Sequence, residues 1–221
     1  MPFTIKRKKT RQIMVGKVKV GGMAPVSVQS MTNTFTQDIP ATVSQIKRLE
    51  DAGCEIIRVA VPALEAAEAI SSIKKEISIP IIADIHFDYR LAIASAKAGA
   101  DGLRINPGNI GSRKKVKALV DCAKDFNIPI RIGINSGSIE KDLLKKYRAP
   151  CAEAMVESAI LKIDLLKSLD FHEIKVSLKA SDVYRTVKAY RMLSEKTDLP
   201  LHVGVTEAGG LYSGIVKSSL G

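Results

Sequence analysis

The sequence predicts an α/β protein built as a TIM-type (β/α)8 barrel, incomplete at its C-terminus and entered through an N-terminal β-hairpin. Short β-rich runs alternate with amphipathic helical stretches, which calls for a parallel sheet with right-handed crossovers. The repeat of about 25 residues continues seven times, and no GxGxxG turn follows the first strand. Both features favour a closed barrel over an open doubly wound sheet.

The elements follow in order. The segment "QIMVGKVKVGG" predicts the hairpin, with Gly21-Gly22 as its breaker. Seven strand-like runs come next: 27–31, 55–61, 80–86, 102–106, 129–135, 173–179 and 200–207. Between them, stretches such as "TVSQIKRLEDAG", "ALEAAEAISSIKKEI", "RKKVKALVDCAKDFN" and "DVYRTVKAYRMLSEKT" place apolar residues three and four apart, the spacing of a helix with one buried face. "FNIPI" and "TDLPL" join a helix stop to a strand opened by proline. The closing "SGIVKSSLG" predicts the start of a seventh barrel helix, so the eighth strand is expected in a longer polypeptide. The expected division is a basic arm and hairpin over 1–26 and a partial substrate-binding barrel over 27–221.

Composition excludes several classes. The 221 residues are 46% apolar and 26% charged, a globular balance. No apolar run reaches membrane-spanning length and the N-terminus lacks a signal-peptide core, so a soluble cytoplasmic protein without a membrane partner is expected. Cys54, Cys122 and Cys151 lie far apart without CxxC spacing, which argues against a disulfide framework and against a metal site within this chain. Met14, Met155 and Met192 are assigned to the core, and the cysteines to the core or to no role.

The 34 Lys and Arg exceed the 23 Asp and Glu, a net charge of +11. Lys6, Arg7, Lys8, Lys9 and Arg11 account for five of these charges and are expected to form a solvated arm. No nucleic-acid signature or interleaved aromatics accompany them, so nucleic-acid binding is not expected.

Strand parity locates the more informative cations. Side chains alternate between faces, so the apolar set faces the helices and the polar set faces the barrel interior. That interior set holds Arg58, Asp84, His86, Arg104, Asn106, Arg131, Asn135, Lys175, Ser177, Lys179, His202 and Thr206. Five Arg and Lys converge there against one carboxylate of matching parity, Asp84. Burying them would be severely destabilising without an anion, and a diphosphate suits the guanidinium forks and the Asn donors. The loops "NPGNIGS", "NSGS", "KASD" and "TEAGG" follow strand ends, where barrel active sites lie and backbone N–H groups can hold phosphate oxygens.

Six segments, "VQSMTNT", "ADIHFDYR", "LRINPGNIG", "IRIGINSGSIEKDLL", "KVSLKASD" and "HVGVTEAGG", closely resemble the 4-hydroxy-3-methylbut-2-enyl diphosphate synthase family of bacterial isoprenoid biosynthesis. They occur in order over nearly the whole chain. The resemblance implies an oxidoreductase that reductively opens 2-C-methyl-D-erythritol 2,4-cyclodiphosphate in the methylerythritol phosphate pathway. It implies electrons from a 4Fe-4S cluster fed by flavodoxin or ferredoxin, and a homodimer when full length. It also implies that a C-terminal domain ligates the cluster through three cysteines and a glutamate, so this chain alone would bind no cofactor and would be redox-inactive. Carried onto this sequence, it places Arg58, His86, Arg104, Arg131 and Lys175 against the diphosphate. Asp84, Asn106, Asn135, Lys179, His202 and Glu207 become supports or contacts to the erythritol hydroxyls, Asp84 and Glu207 being the candidates for catalytic support. The alternatives are a pterin-binding barrel of the dihydropteroate synthase type and a basic nucleic-acid-binding module.

Overall fold

A computed structural model describes residues 7–221. Lys6 of the expected arm lies outside the described residues. The hairpin forms as expected: β1 (Gln12–Val15) pairs antiparallel with β2 (Val18–Gly21). Alternation along β1 buries Ile13 and Val15 and exposes Gln12 and Met14, which corrects the assignment of Met14 to the core. Val15, Val18 and Val20 pack against Ile56 and Ile82, a small apolar cluster separate from the main core. Gly21 has φ +83°, and a Cβ there would lie 2.8 Å from Pro200 Cβ, so the hairpin's close approach to residue 200 requires glycine.

Three of the arm's cations are not merely solvated. Arg7 donates to the Ala24 carbonyl at 3.0 Å, Lys8 to the Thr197 carbonyl at 2.9 Å, and Arg11 pairs with Asp198 at 2.7 Å. Thr197 caps the C-terminus of a helix, whose orphan carbonyls favour a cation. These partners correct the expectation of a free arm for Arg7, Lys8 and Arg11.

The remaining elements run β3 (Gln29–Met31), α1 (Ile39–Asp51), β4 (Ile56–Ala60), α2 (Leu64–Glu76), β5 (Ile81–Asp84) and α3 (Tyr89–Lys97). Then come β6 (Gly102–Ile105), α4 (Pro107–Ile110), α5 (Arg113–Asp125), β7 (Ile130–Asn135), a 3₁₀ turn (Ser136–Ser138) and α6 (Lys141–Tyr147). α7 (Ala152–Lys167), β8 (Ile174–Lys179), α8 (Val183–Lys196) and α9 (Leu211–Leu220) complete the order. The six strands β3 to β8 form one parallel sheet in sequential order, a curled half-barrel. Asp38, Asp88 and Asp182 cap α1, α3 and α8 by accepting backbone N–H bonds, which starts each helix just beyond a strand end. Prolines open the strands at one repeated position. Pro80, Pro129 and Pro200 lack an N–H, yet each carbonyl accepts from the preceding strand, at 3.0, 3.0 and 3.1 Å.

The outward-facing Ile57, Val59, Ile81, Leu103, Ile105, Ile132, Ile134, Val176 and Leu178 are fully buried in the main core with the inner faces of the helices. Each such side chain contributes about 1.5–3 kcal/mol. The main core therefore lies outside the sheet, and beyond the end that the hairpin covers at Ile56 and Ile82 the concave face is left for polar groups.

The seventh expected strand, 200–207, is corrected. It joins β8 through a single bridge, Val176 to Leu201. The Tyr190 hydroxyl of α8 explains why. It accepts from Leu178 N at 3.0 Å and donates to the His202 carbonyl, occupying both groups that would make the next ladder bond. A bond from Thr206 N to the Ala180 carbonyl, at 3.3 Å, ties the far end of the segment.

Candidate anion-binding site

Strand register builds the site. Parallel pairing sets Asp84 beside Arg104, Arg104 beside Arg131, and Arg131 beside Lys175, so one row of charged side chains crosses four strands. Arg58 is in register with Met31 on the neighbouring strand, and Asn135 with Lys179. These residues share the concave face, while the alternate positions lie in the core.

Asp84 is 3% exposed and is the anionic centre. Its Oδ1 accepts from Arg104 Nη1 at 3.0 Å, its Oδ2 lies 3.4 Å from Arg58 Nε, and His86 Nε2 stands 3.7 Å away. Arg58 also donates to Met31 Sδ at 2.7 Å. Gly133 makes room for this arrangement: a Cβ there would come within 2.8 Å of Arg104 Nη2 and 3.0 Å of Cζ.

One carboxylate does not serve the remaining cations. Arg131 is 1% exposed, and neither its Nε nor its Nη1 has a hydrogen-bond partner among the described residues. Lys175 is 2% exposed. Burial, reinforced by Arg58 and Arg104, pushes the Arg131 guanidinium down to about 9. Burial, with Arg131 and Arg58 adding to it, brings Lys175 down to about 7. Burial and the three arginines bring Lys179 down to about 8. Arg58 is lowered by burial, an effect Asp84 opposes. Burial and the positive charge of Arg131, Lys179 and Lys175 hold His202 neutral, well below the usual imidazole range. Buried cations with unused donors have the chemistry that binding a multiply charged anion requires.

Replacing Asp84 with Asn should destabilise the free chain by about 3–5 kcal/mol in urea unfolding, because it leaves buried Arg104 and half-buried Arg58 without a counter-charge. Saturating inorganic pyrophosphate should restore much of the loss.

The expected residues do not all converge equally. Asn106 lies on the concave side, but its Oδ1 accepts from Gly108 N at 3.1 Å and so caps α4. Asn135 N donates to Ser138 Oγ at 3.3 Å in the next loop. His86 is exposed at the mouth, and Glu207 is exposed with φ +50°. His202 and Lys179 line, together with Lys175 of the charged row, a cavity of about 660 Å³ that runs along residues 200–205 to the hairpin. Met31 and Gln29 are additional concave-face groups that the same parity rule, applied to the first strand, would have found. Tyr190 carries no such signal, because its helix position says nothing about the ladder it interrupts.

Cys54 is buried at the start of β4, Cys122 is buried on α5, and Cys151 precedes α7. Among the described residues no group of three His, Cys, Asp or Glu could hold a metal ion, so these residues do not fit an iron-sulfur cluster. No helix among them is long and apolar enough to cross a membrane.

The GcpE TIM-barrel domain model matches residues 10–221. The chain belongs to that family. This GcpE barrel is 60% identical over 217 residues to the 4-hydroxy-3-methylbut-2-en-1-yl diphosphate synthase (flavodoxin) of Marinomonas sp. (strain MWYL1), covering 98% of the chain and 59% of that protein. It is 58% identical to the enzyme of the same name from Acidithiobacillus ferrooxidans, with the same coverage. The GcpE barrel thus spans about three-fifths of the length of these relatives. Its fold resembles Yersinia pestis dihydropteroate synthase, at 12% identity and TM-score 0.62 over 89% of this chain and 76% of that one. It also resembles 3-dehydroquinate dehydratase from Geobacillus kaustophilus, at 11% identity and TM-score 0.63 over 93% and 81%. At these identities the likeness is one of fold, which is all that the pterin-binding alternative rests on.

Proposed function

We propose that this chain is the substrate-binding barrel of a 4-hydroxy-3-methylbut-2-enyl diphosphate synthase, and that it holds 2-C-methyl-D-erythritol 2,4-cyclodiphosphate through the diphosphate. The observation that carries the proposal is Arg131: a guanidinium 1% exposed, with two unpartnered nitrogens, flanked by Arg104 and Lys175. Arg58, His86, Arg104, Arg131 and Lys175 take the diphosphate oxygens, Arg131 by bidentate donation. Lys179, His202 and the ends of β6 and β7 with Asn106 and Asn135 surround the erythritol hydroxyls. Asp84 keeps Arg58 and Arg104 oriented, and Glu207 stands in the segment between α8 and α9 as a support for the reacting end.

In such a synthase a 4Fe-4S cluster supplies two electrons, delivered by flavodoxin or ferredoxin. The described residues offer that cluster no ligand set, so the part assigned to this chain is binding, charge neutralisation and orientation. A homodimer belongs to the same reading and follows from the family resemblance alone.

Calorimetry of the cyclic diphosphate against the chain tests the proposal. Binding that Arg131→Ala and Lys175→Ala each abolish is the expected result. Binding unchanged by both variants, or a preference for a pterin diphosphate, would overturn it.

A further inference from the structure

A second buried cation lies outside the cradle. α7 is apolar on most of its surface, yet it carries Lys162, which is 4% exposed. Its ammonium pairs with the Glu140 carboxylate and donates to Ser158 Oγ at 2.8 Å, one helical turn earlier. Glu140 immediately precedes α6, and its Oε2 is buried without a partner. The pair lies against α4: a Cβ on Gly108 would meet Lys162 Cε at 3.3 Å and Glu140 Oε1 at 3.5 Å.

Hydrogen bonds lead from there to the mouth of the site. Gly108 N donates to Asn106 Oδ1, and Asn106 Nδ2 reaches Ser138 Oγ at 3.4 Å. Ser138 Oγ in turn donates to the Asn135 carbonyl at 3.1 Å. The loops after β6 and β7 are therefore joined to each other and braced from beneath by α7.

We propose that Lys162, with Glu140 and Ser158, is a buried strut that positions these two loops and, through them, Asn106 and Asn135 over the part of the ligand that is not phosphate. Stability alone does not call for it, because an apolar residue in place of a buried ion pair is commonly neutral or stabilising. Arg104, Arg131 and Lys175 stand on β6, β7 and β8, whereas the polar bonds of the strut run within α7 and from α7 to the residue before α6. The inference rests on the function proposed above, and it predicts a split between ligands. Lys162 is a positioning residue, since it reaches the ligand only through the loops.

The experiment compares the parent chain with Lys162→Met and with the double variant Lys162→Met/Glu140→Gln, which removes both charges if the single variant folds poorly. Calorimetry uses two probes, inorganic pyrophosphate and 2-C-methyl-D-erythritol 2,4-cyclodiphosphate, and amide hydrogen exchange follows residues 106–111 and 135–140. The strut predicts cyclic-diphosphate affinity weakened about tenfold or more, pyrophosphate affinity unchanged, and faster exchange confined to the two loops. Equal weakening of both probes, or exchange as slow as in the parent, overturns it. A parent chain that binds neither probe defeats the proposed function, while the exchange comparison still decides whether the strut holds the loops.

Discussion

Arg131→Met should raise the thermal stability of the ligand-free chain while weakening cyclic-diphosphate binding by about 30-fold or more. The two effects have one cause. In the free chain Arg131 is a desolvated cation with two idle nitrogens beside Arg104 and Lys175, so it costs stability. Methionine fills comparable space without charge, and replacing buried charge by apolar volume commonly stabilises by about 1–4 kcal/mol. On binding, the same guanidinium, 1% exposed, would make charge-assisted bonds, and losing one side of such a buried contact costs about 2–5 kcal/mol. At 1.4 kcal/mol per tenfold, that range runs from about 30-fold to a few thousandfold. Differential scanning calorimetry and titration of the same preparation read the two signs. A variant with lowered stability and intact binding would show that Arg131 serves the fold rather than a ligand.

Binding and stability should also depend on pH in opposite directions. Lys175 and Lys179 are lowered from 10.5 to about 7 and about 8, chiefly by burial. The unfolded chain therefore binds more protons than the folded one between those values and 10.5. Stability of the free chain rises with pH across that window and is lost as pH falls toward 7. A bound anion restores the charged forms, so binding takes up protons. Affinity should be highest near pH 7 and weaken by about tenfold per unit above it for each proton taken up, until the lysines of the complex also titrate. A cyclic diphosphate carries its two charges throughout this range, so the change belongs to the protein. Titration in two buffers of different ionisation enthalpy measures the uptake directly, and its absence at pH 8 would rule out neutral lysines in the free cradle.

Much of the site was legible because strands have a period of two. Once the strands were placed, parity alone put Arg58, Asp84, Arg104, Arg131 and Lys175 on the concave face, and the register agrees with it. The same reasoning failed for 200–207, where alternation is present in the sequence but the Tyr190 hydroxyl takes up the ladder groups. It also passed over Lys162, because one lysine in an apolar helix looks like an ordinary solvated end until Glu140 and Ser158 are brought to it. Asn106 was foreseen as a ligand donor; what the sequence did not show is that its Oδ1 caps α4 while its Nδ2 reaches Ser138 Oγ.

The amino-acid sequence by itself determined the alternation of strands and helices, the hairpin and the face on which each strand charge lies. These are local consequences of backbone geometry and of the cost of burying unpaired charge. Only the tertiary structure decided how the cations share Asp84, which of them are left without a partner, and that α7 braces the mouth of the site. Those outcomes depend on register between strands and on contacts between residues far apart in sequence, such as Glu140 with Lys162 and Tyr190 with His202. No local pattern encodes the distance between such groups.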